Sequence, residues 1–506
     1  MLDLSQLFET LQLSTEKESA VQNIIAEFLA LNCQDQTSNR LAIAEKVFSL
    51  AFYQDVILRA SDEYTKLKET IWSTNCQLTP GIITTPRTSE DVAKILALCV
   101  ALGLTFSVRG GGHLHNVGFT SNDGGVLISL SKLTNLTISD DRATTEFGPG
   151  LTWLEVYGAL HEYGVTVPGG RVPSVGVAGL LLGGGISFQN SEYGLSCNSV
   201  LEYEVVLADS RIVKVNASEN SDLFWALKGG GSNFGIVTKF KMETIPNDVW
   251  AEGRVYSPAN NKKLLEAVRK YSDAAEKDNK ATIIWHSISE ATLVVLFYCR
   301  ASEKRPVVFD AFEEIPFLIQ ALPPGSSTVY DVINGFASVN GSEPKSHGLR
   351  TMTSLPDIEV YNAAEEARLE QLEKVKHIPG AVITMVVQPI SHSTIEACRA
   401  RGGNTLGLDP RSQQWFLLMT DWSNPEDEAA MSEASRKIVD CAEATAKKNG
   451  TFLDFKYSNY ASKDQNPLTS YGAESLTRLK SIATSFDPTG VFQKLQNDGF
   501  LVSKTD

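Results

Sequence analysis

Between Gly103 and Gly235 glycine recurs in clusters, RGGGH, FGPG, VPGGR, GVAG, LGGGIS and KGGGSNFG. A residue without Cβ costs conformational entropy on folding, so this density points to backbone lying close against a ligand, or to tight strand turns. Each cluster alone is weak, because any enzyme built of helices and strands has glycine turns. Nothing in the chain matches GxGxxG, the P-loop, HExxH or GxSxG, so Rossmann dinucleotide binding, P-loop phosphoryl transfer, zincin proteolysis and hydrolase-elbow chemistry lose their usual handles. The run Arg109 to His113 follows the apolar strand LTFSV directly. It offers bare amides in a nest suited to a pyrophosphate, followed at once by an imidazole.

Composition narrows the partners. The 506 residues carry a formal net charge of -15, which repels a phosphate backbone and disfavours nucleic acid. Seven cysteines are scattered without a CxxC pair, so zinc and thioredoxin chemistry have no support and no metal site is expected. A Cys33–Cys76 disulfide is open only to an exported protein. The opening MLDLSQLFETLQLSTEKE lacks a basic n-region and an unbroken apolar stretch, which predicts no secretion signal and a cytoplasmic protein. No run of 18 apolar residues occurs, so no membrane span is expected.

The apolar spacing predicts a helical lead-in over residues 1–70. From Pro80 short β-rich runs take over, GIITTP, LTFSVRG and GVLISLS, with an amphipathic helix from Ser89 to Leu102, N-capped by Ser89 and C-capped by Gly103. After about Pro246 the glycines thin out. The strands ATIIWHSIS, TLVVLFYC, GAVITMVVQ and WFLLMT then alternate with charged helices, one of them from about Pro425 to Asn449. The tail holds YSNYA, a helix around Tyr471 to Ser485, and FDPTGVFQKLQ. YSNYA reads as a strand, with Tyr457 and Asn459 on one face and Ser458 and Tyr460 on the other.

Taken in order over residues 72–500, the segments TPGIITTPRTSEDVAKI, SVRGGGH, GPGLTWLEVY, VPGGRVPSVGVAGLLLGGGISF, NSDLFWALKGGGSNFGIVTKF, YSNYA and FDPTGVFQKLQ resemble the berberine bridge enzyme-like family of FAD-linked oxidases. That family lies within the vanillyl-alcohol oxidase superfamily, and the likeness is greatest to its fungal branch. The resemblance implies an α+β, two-domain PCMH-type FAD-binding fold. An FAD-binding domain would span 71–247, an antiparallel-sheet substrate domain 248–449, and the segment 450–506 would return to complete the first.

The family's site residues carry over where this chain matches. Arg109, Gly110, Gly111 and Gly112 would face the diphosphate, and His113 would bond through Nδ1 to the flavin 8α carbon. Ser174, Val175, Gly176 and Gly179 would lie along the flavin. Ile236 would meet the adenine portion, and Asn459 the cofactor. Val172 stands where doubly linked members carry cysteine, so FAD would be covalent through His113 only. Val175 is small enough to let O₂ approach, which implies oxidase chemistry. Tyr460 is the implied catalytic base: it takes a proton as hydride leaves a small-molecule alcohol or amine, a natural-product intermediate, for flavin N5, and O₂ then yields H₂O₂. The alternative is a flavin-containing cyclase or isomerase of secondary metabolism with no net oxidation. His115 is read as a loop residue that could face the substrate, and His161 and His286 as structural or exposed. Gln388 and Trp415 are read as core packing, with the substrate face as the alternative.

Overall fold

The computed structural model describes residues 4–52, 55–288, 290–337 and 345–505. The helix Ser89–Leu102 forms where the apolar spacing predicts it, but Thr88, not Ser89, caps it. Thr88 Oγ1 accepts the Asp91 amide at 3.2 Å while the Asp91 carboxylate accepts the Thr88 amide at 3.1 Å, which satisfies two orphan donors reciprocally. Gly103 ends the helix in the left-handed region. Leu4–Leu11 packs on this helix and Thr15–Ala30 packs on Cys33–Phe52, and all four helices join one apolar cluster through residues that include Leu7, Leu11, Val21, Ile25 and Phe48. Cys33 is exposed and Cys76 buried, both as free thiols, so no disulfide joins them.

The glycine-rich region builds two small sheets. In one, Ile82–Thr84 and Phe106–Arg109 flank Val126–Ser129 in parallel, with Val56–Leu58 antiparallel at the edge. The other is antiparallel, ordered Leu136–Ile138, Thr144–Phe147, Ile236–Glu243, Val200–Val206, Ile212–Asn216. The tail returns to the first sheet, where the Phe106 amide donates to the Leu495 carbonyl at 2.8 Å and the Asn497 amide to the Phe106 carbonyl at 2.7 Å.

Residues 248–453 form an antiparallel sheet of eight strands among the described residues, with Val382–Ile390 and Gln413–Trp422 near its centre. Its two faces differ. Ile383, Met385, Val387, Phe416 and Leu418 pack under the helices Asn261–Ala275, Ile358–Val375 and Glu428–Asn449. The alternating set, Val382, Thr384, Val386, Gln388, Leu417, Met419 and Asp421, faces a cavity instead. Period-two alternation thus sorts each strand into a helix-covered side and a cavity side. No helix among the described residues is long and apolar enough to cross a membrane.

YSNYA is not a strand. Residues 457–460 close a turn in which the Tyr460 amide donates to the Tyr457 carbonyl at 2.9 Å. Ser458 Oγ donates to the Gly183 carbonyl at 3.2 Å and Asn459 Nδ2 to the Leu180 carbonyl at 3.2 Å. These side-chain bonds compete with a strand ladder, as Ser and Asn commonly do at turns. The two tyrosines therefore do not point to opposite faces: their rings meet edge to face, with centroids 4.8 Å apart.

Candidate active site

The cavity has a volume of about 1870 Å³, well above the roughly 300–1,000 Å³ of ordinary ligand pockets. Glycine loops form one wall: Gly110–Gly112, the segment Ser174, Val175, Gly176 and Gly179, and Gly229–Gly231 with Ile236. The cavity-side face of the eight-stranded sheet, aliphatic residues interspersed with Thr384, Gln388 and Asp421, forms the wall opposite, and the 457–460 turn closes one side.

The glycines are required where the loops touch. A Cβ on Gly111 would lie 2.5 Å from Gly176 Cα, and one on Gly176 would lie 2.6 Å from Gly111 Cα. Only two bare backbones can approach so closely. Gly112 adopts φ +65°, and the Gly111 and Gly112 amides find no acceptor among the described residues. Such unpaired amides suit an anion such as a diphosphate. At Gly179, in the helix Val177–Leu182, a Cβ would meet nothing within 4 Å, so the bare position opens into the cavity. An extended dinucleotide fits this wall in size, shape and donor chemistry.

His113 follows the nest. Its ring is half-buried, its Nε2 is 3.2 Å from Ser174 Oγ, and burial together with the neighbouring His347 imidazole pulls its pKa down to about 4. It is therefore neutral at pH 7, the form in which a ring nitrogen is a nucleophile. Arg109 does not face the cavity. Its buried guanidinium donates to the carbonyls of Leu67 at 2.6 Å, Thr70 at 3.2 Å and Thr120 at 3.1 Å, tying the end of the lead-in to the loop beyond the nest. That side chain supports the site from behind rather than holding a ligand.

At the other end Tyr460 projects its hydroxyl towards the sheet. Arg171 Nη2 lies 3.1 Å from it and Gln388 Nε2 3.3 Å from it, and Arg171 also donates to Gln388 Oε1. Gln388 is thus not mere core packing, since it touches the tyrosine hydroxyl and lines the cavity. Trp415 is fully buried and packs on Tyr457, ring centroids 4.9 Å apart, as a core residue does. Tyr457 accepts the Gly185 amide at 2.9 Å and Asn459 Nδ2 at 2.9 Å, and burial pushes its phenol well above the ordinary range.

Of three further histidines, two lie outside the cavity. His115 is buried behind the cavity wall with no partner for Nε2. His161 packs against Tyr330 outside the cavity, with ring centroids 5.0 Å apart and planes tilted by 40°. His286 lines the cavity, and burial lowers its pKa to about 4.

Sequence reasoning missed Trp72, Arg171, His347 and Asp421, as well as Gln496, Asp498, Gly499 and Phe500 of the tail, all of which line the cavity. Arg171 stood inside VPGGR and carried a signal. His347 and Asp421, which bond at 2.8 Å across 74 positions, carried none.

An FAD binding domain model matches residues 80–216. An FAD-dependent monooxygenase of Arthrobotrys oligospora is 36% identical over 87% of this chain and 85% of its own length. The bifunctional solanapyrone synthase of Alternaria solani is 31% identical over 93% and 91%. Among solved structures, a glucooligosaccharide oxidase of Acremonium strictum described with 6-S-cysteinyl, 8α-N1-histidyl FAD superposes with a TM-score of 0.72 at 21% identity, covering 86% of this chain and 95% of that one. With a cavity walled by glycine loops on one side and an antiparallel sheet on the other, and with relatives matched along nearly the whole length, the chain belongs to the berberine bridge enzyme-like family of FAD-linked oxidoreductases, in its fungal branch.

Proposed function

We propose that the protein is an oxidase that removes a hydride and a proton from a small-molecule alcohol or amine, with O₂ as final acceptor and H₂O₂ as product. The observation that carries this reading is the Tyr460 hydroxyl, which sits in the cavity beneath two donors, Arg171 and Gln388. When bound, FAD supplies the two-electron acceptor. Gly110–Gly112, Ser174, Val175, Gly176, Gly179, Ile236 and Asn459 would hold it, and His113 would tie it covalently. Val172 in place of a second attachment cysteine leaves a single link.

The protein's own part is proton control and orientation. Tyr460 takes the substrate proton, and the Arg171 guanidinium aimed at its oxygen favours the negative charge this role needs there. The sheet wall carries an aliphatic patch, Ile284, Leu293, Val295, Val386, Leu417 and Met419, beside the polar Thr384 and Gln388. It suits an apolar skeleton that presents one hydroxyl or amine to Tyr460, as a natural-product intermediate does.

A second reading, a flavin-containing cyclase or isomerase without net oxidation, draws on the same aliphatic patch and on the relative named as a bifunctional synthase. O₂ uptake during turnover separates the two. The test of the base is Tyr460→Phe, which deletes one hydroxyl and keeps the ring. Flavin content should stay and substrate-driven flavin reduction should fall about 10²- to 10⁴-fold, the usual weight of a general acid–base group. Undiminished reduction in that variant overturns Tyr460 as the base.

A further inference from the structure

Trp72 belongs to the end of the lead-in, His113 to the glycine nest and His347 to the strand Ser346–Ser354 of the large sheet. Their rings nevertheless form one column. The Trp72 ring stacks on His113 with centroids 4.4 Å apart and planes 15° apart, and on His347 at 3.8 Å and 1°. Every layer is fixed from its own side. The Trp72 amide donates to the Gly112 carbonyl at 2.9 Å, one residue before His113. The His347 amide donates to Ser73 Oγ at 2.7 Å, the Thr74 amide to the Lys345 carbonyl at 2.9 Å, and His347 Nδ1 to the Asp421 carboxylate at 2.8 Å. A surface aromatic stack has no need of anchors in three separate parts of the fold.

We propose that Trp72, braced by the His347–Asp421 pair, is a positioning residue that fixes the plane of the His113 imidazole for covalent attachment of the flavin. This rests on the reading of His113 as the attachment point. Attachment forms one N–C bond between a His113 ring nitrogen and the 8α carbon and breaks one C–H and one N–H bond. The electron pair stays on the isoalloxazine, and O₂ removes two electrons and two protons as H₂O₂. The reaction requires a neutral imidazole whose lone pair points at the methyl carbon, and misorientation by tens of degrees costs orders of magnitude in rate. Burial and the His347 imidazole keep His113 neutral; the stack supplies the orientation, since a ring held face to face on an indole can no longer turn about its side-chain bond.

The experiment measures total flavin per chain by absorbance and, separately, the fraction that stays with acid-precipitated protein. Wild type, Trp72→Ala, Trp72→Phe, His347→Leu and His113→Ala are compared, each after incubation with FAD and O₂. Trp72→Ala and His347→Leu should bind flavin but show an acid-stable fraction at least fivefold lower. Trp72→Phe, which keeps an aromatic plate, should recover more than half of the wild-type value. His347→Leu preserves bulk and decides the matter if Trp72→Ala does not fold. Wild-type levels of acid-stable flavin in both Trp72→Ala and His347→Leu overturn the positioning role. A wild-type protein that releases all its flavin to acid overturns the covalent reading itself, a result visible before any variant is made.

Discussion

The Tyr460 hydroxyl lies 3.1 Å from the Arg171 guanidinium, joining a turn in the tail to the VPGGR loop across 289 positions of sequence. If this donor stabilises the tyrosine anion, Arg171→Met should lower turnover about 10- to 100-fold, matching the roughly 1.5–3 kcal/mol of a hydrogen bond to a charged group. Steady-state kinetics should place the loss in kcat more than in KM, and Arg171→Lys, which keeps a cation, should recover part of it. Equal loss in Arg171→Lys and Arg171→Met would mean that Arg171 serves only to hold Gln388.

The glycine wall predicts two opposite outcomes from similar substitutions. Gly111→Ala drives a Cβ to 2.5 Å from Gly176 Cα, backbone that cannot yield as a side chain end can, so the protein should lose about 1–3 kcal/mol, as overpacked sites do. A Cβ at Gly179 meets nothing within 4 Å, and the position is helical and lines the cavity, so Gly179→Leu should leave the apoprotein melting no lower than wild type. Its side chain fills cavity space, so flavin content should fall sharply. Thermal melts of apo and FAD-loaded protein report both effects.

Much of this was legible because glycine and the helical spacing of apolar residues act locally. The nest at Gly110–Gly112 and the helix Ser89–Leu102 stand where the sequence places them. The failures share a cause. Tyr457 to Tyr460 alternate polar and aromatic residues as a strand would, but Ser458 and Asn459 find carbonyls at Gly183 and Leu180, partners that no local rule reveals. The strand Val382–Ile390 has one face under helices and one, mixing Val382 and Val386 with Thr384 and Gln388, on the cavity, and its composition alone could not say that the mixed face meets a ligand space rather than the core. The column of Trp72, His113 and His347 draws on three distant segments and exists only once the chain is folded.

Val175 lines the cavity beside Gly176, and on the oxidase reading proposed above its small side chain leaves O₂ a way to the flavin. Val175→Leu should slow reoxidation of the substrate-reduced protein by O₂ while leaving the reductive half-reaction nearly unchanged. Stopped-flow absorbance, with substrate and O₂ mixed in separate steps, measures each half. Equal reoxidation rates in the two proteins remove Val175 from control of oxygen access.

Acid stability should depend on His115 and His286. Burial lowers His115 to about 3, opposed by its bond to the Ala461 carbonyl, and lowers His286 to about 4, opposed by Asp421 and reinforced by Arg368. Neither Nε2 has a hydrogen-bond partner, so a proton added there would be a poorly compensated buried charge. In the unfolded chain both titrate near 6.5. Between that value and the folded ones the unfolded state holds more protons, so stability is full above about pH 6.5 and falls as pH drops, by about 1.4 kcal/mol per unit for each histidine. Asp464, held below the ordinary carboxylate range mainly by Arg350 against the opposing effect of its burial, acts in a lower window, because its contribution is lost only as pH falls below its unfolded value near 3.8. Denaturant midpoints of the apoprotein measured from pH 7 to 4 should therefore decline steadily, and His115→Gln or His286→Gln should each flatten the slope by about one proton's worth. A pH-independent midpoint across that range would mean that the folded protein admits the charge, through water or a shifted ring.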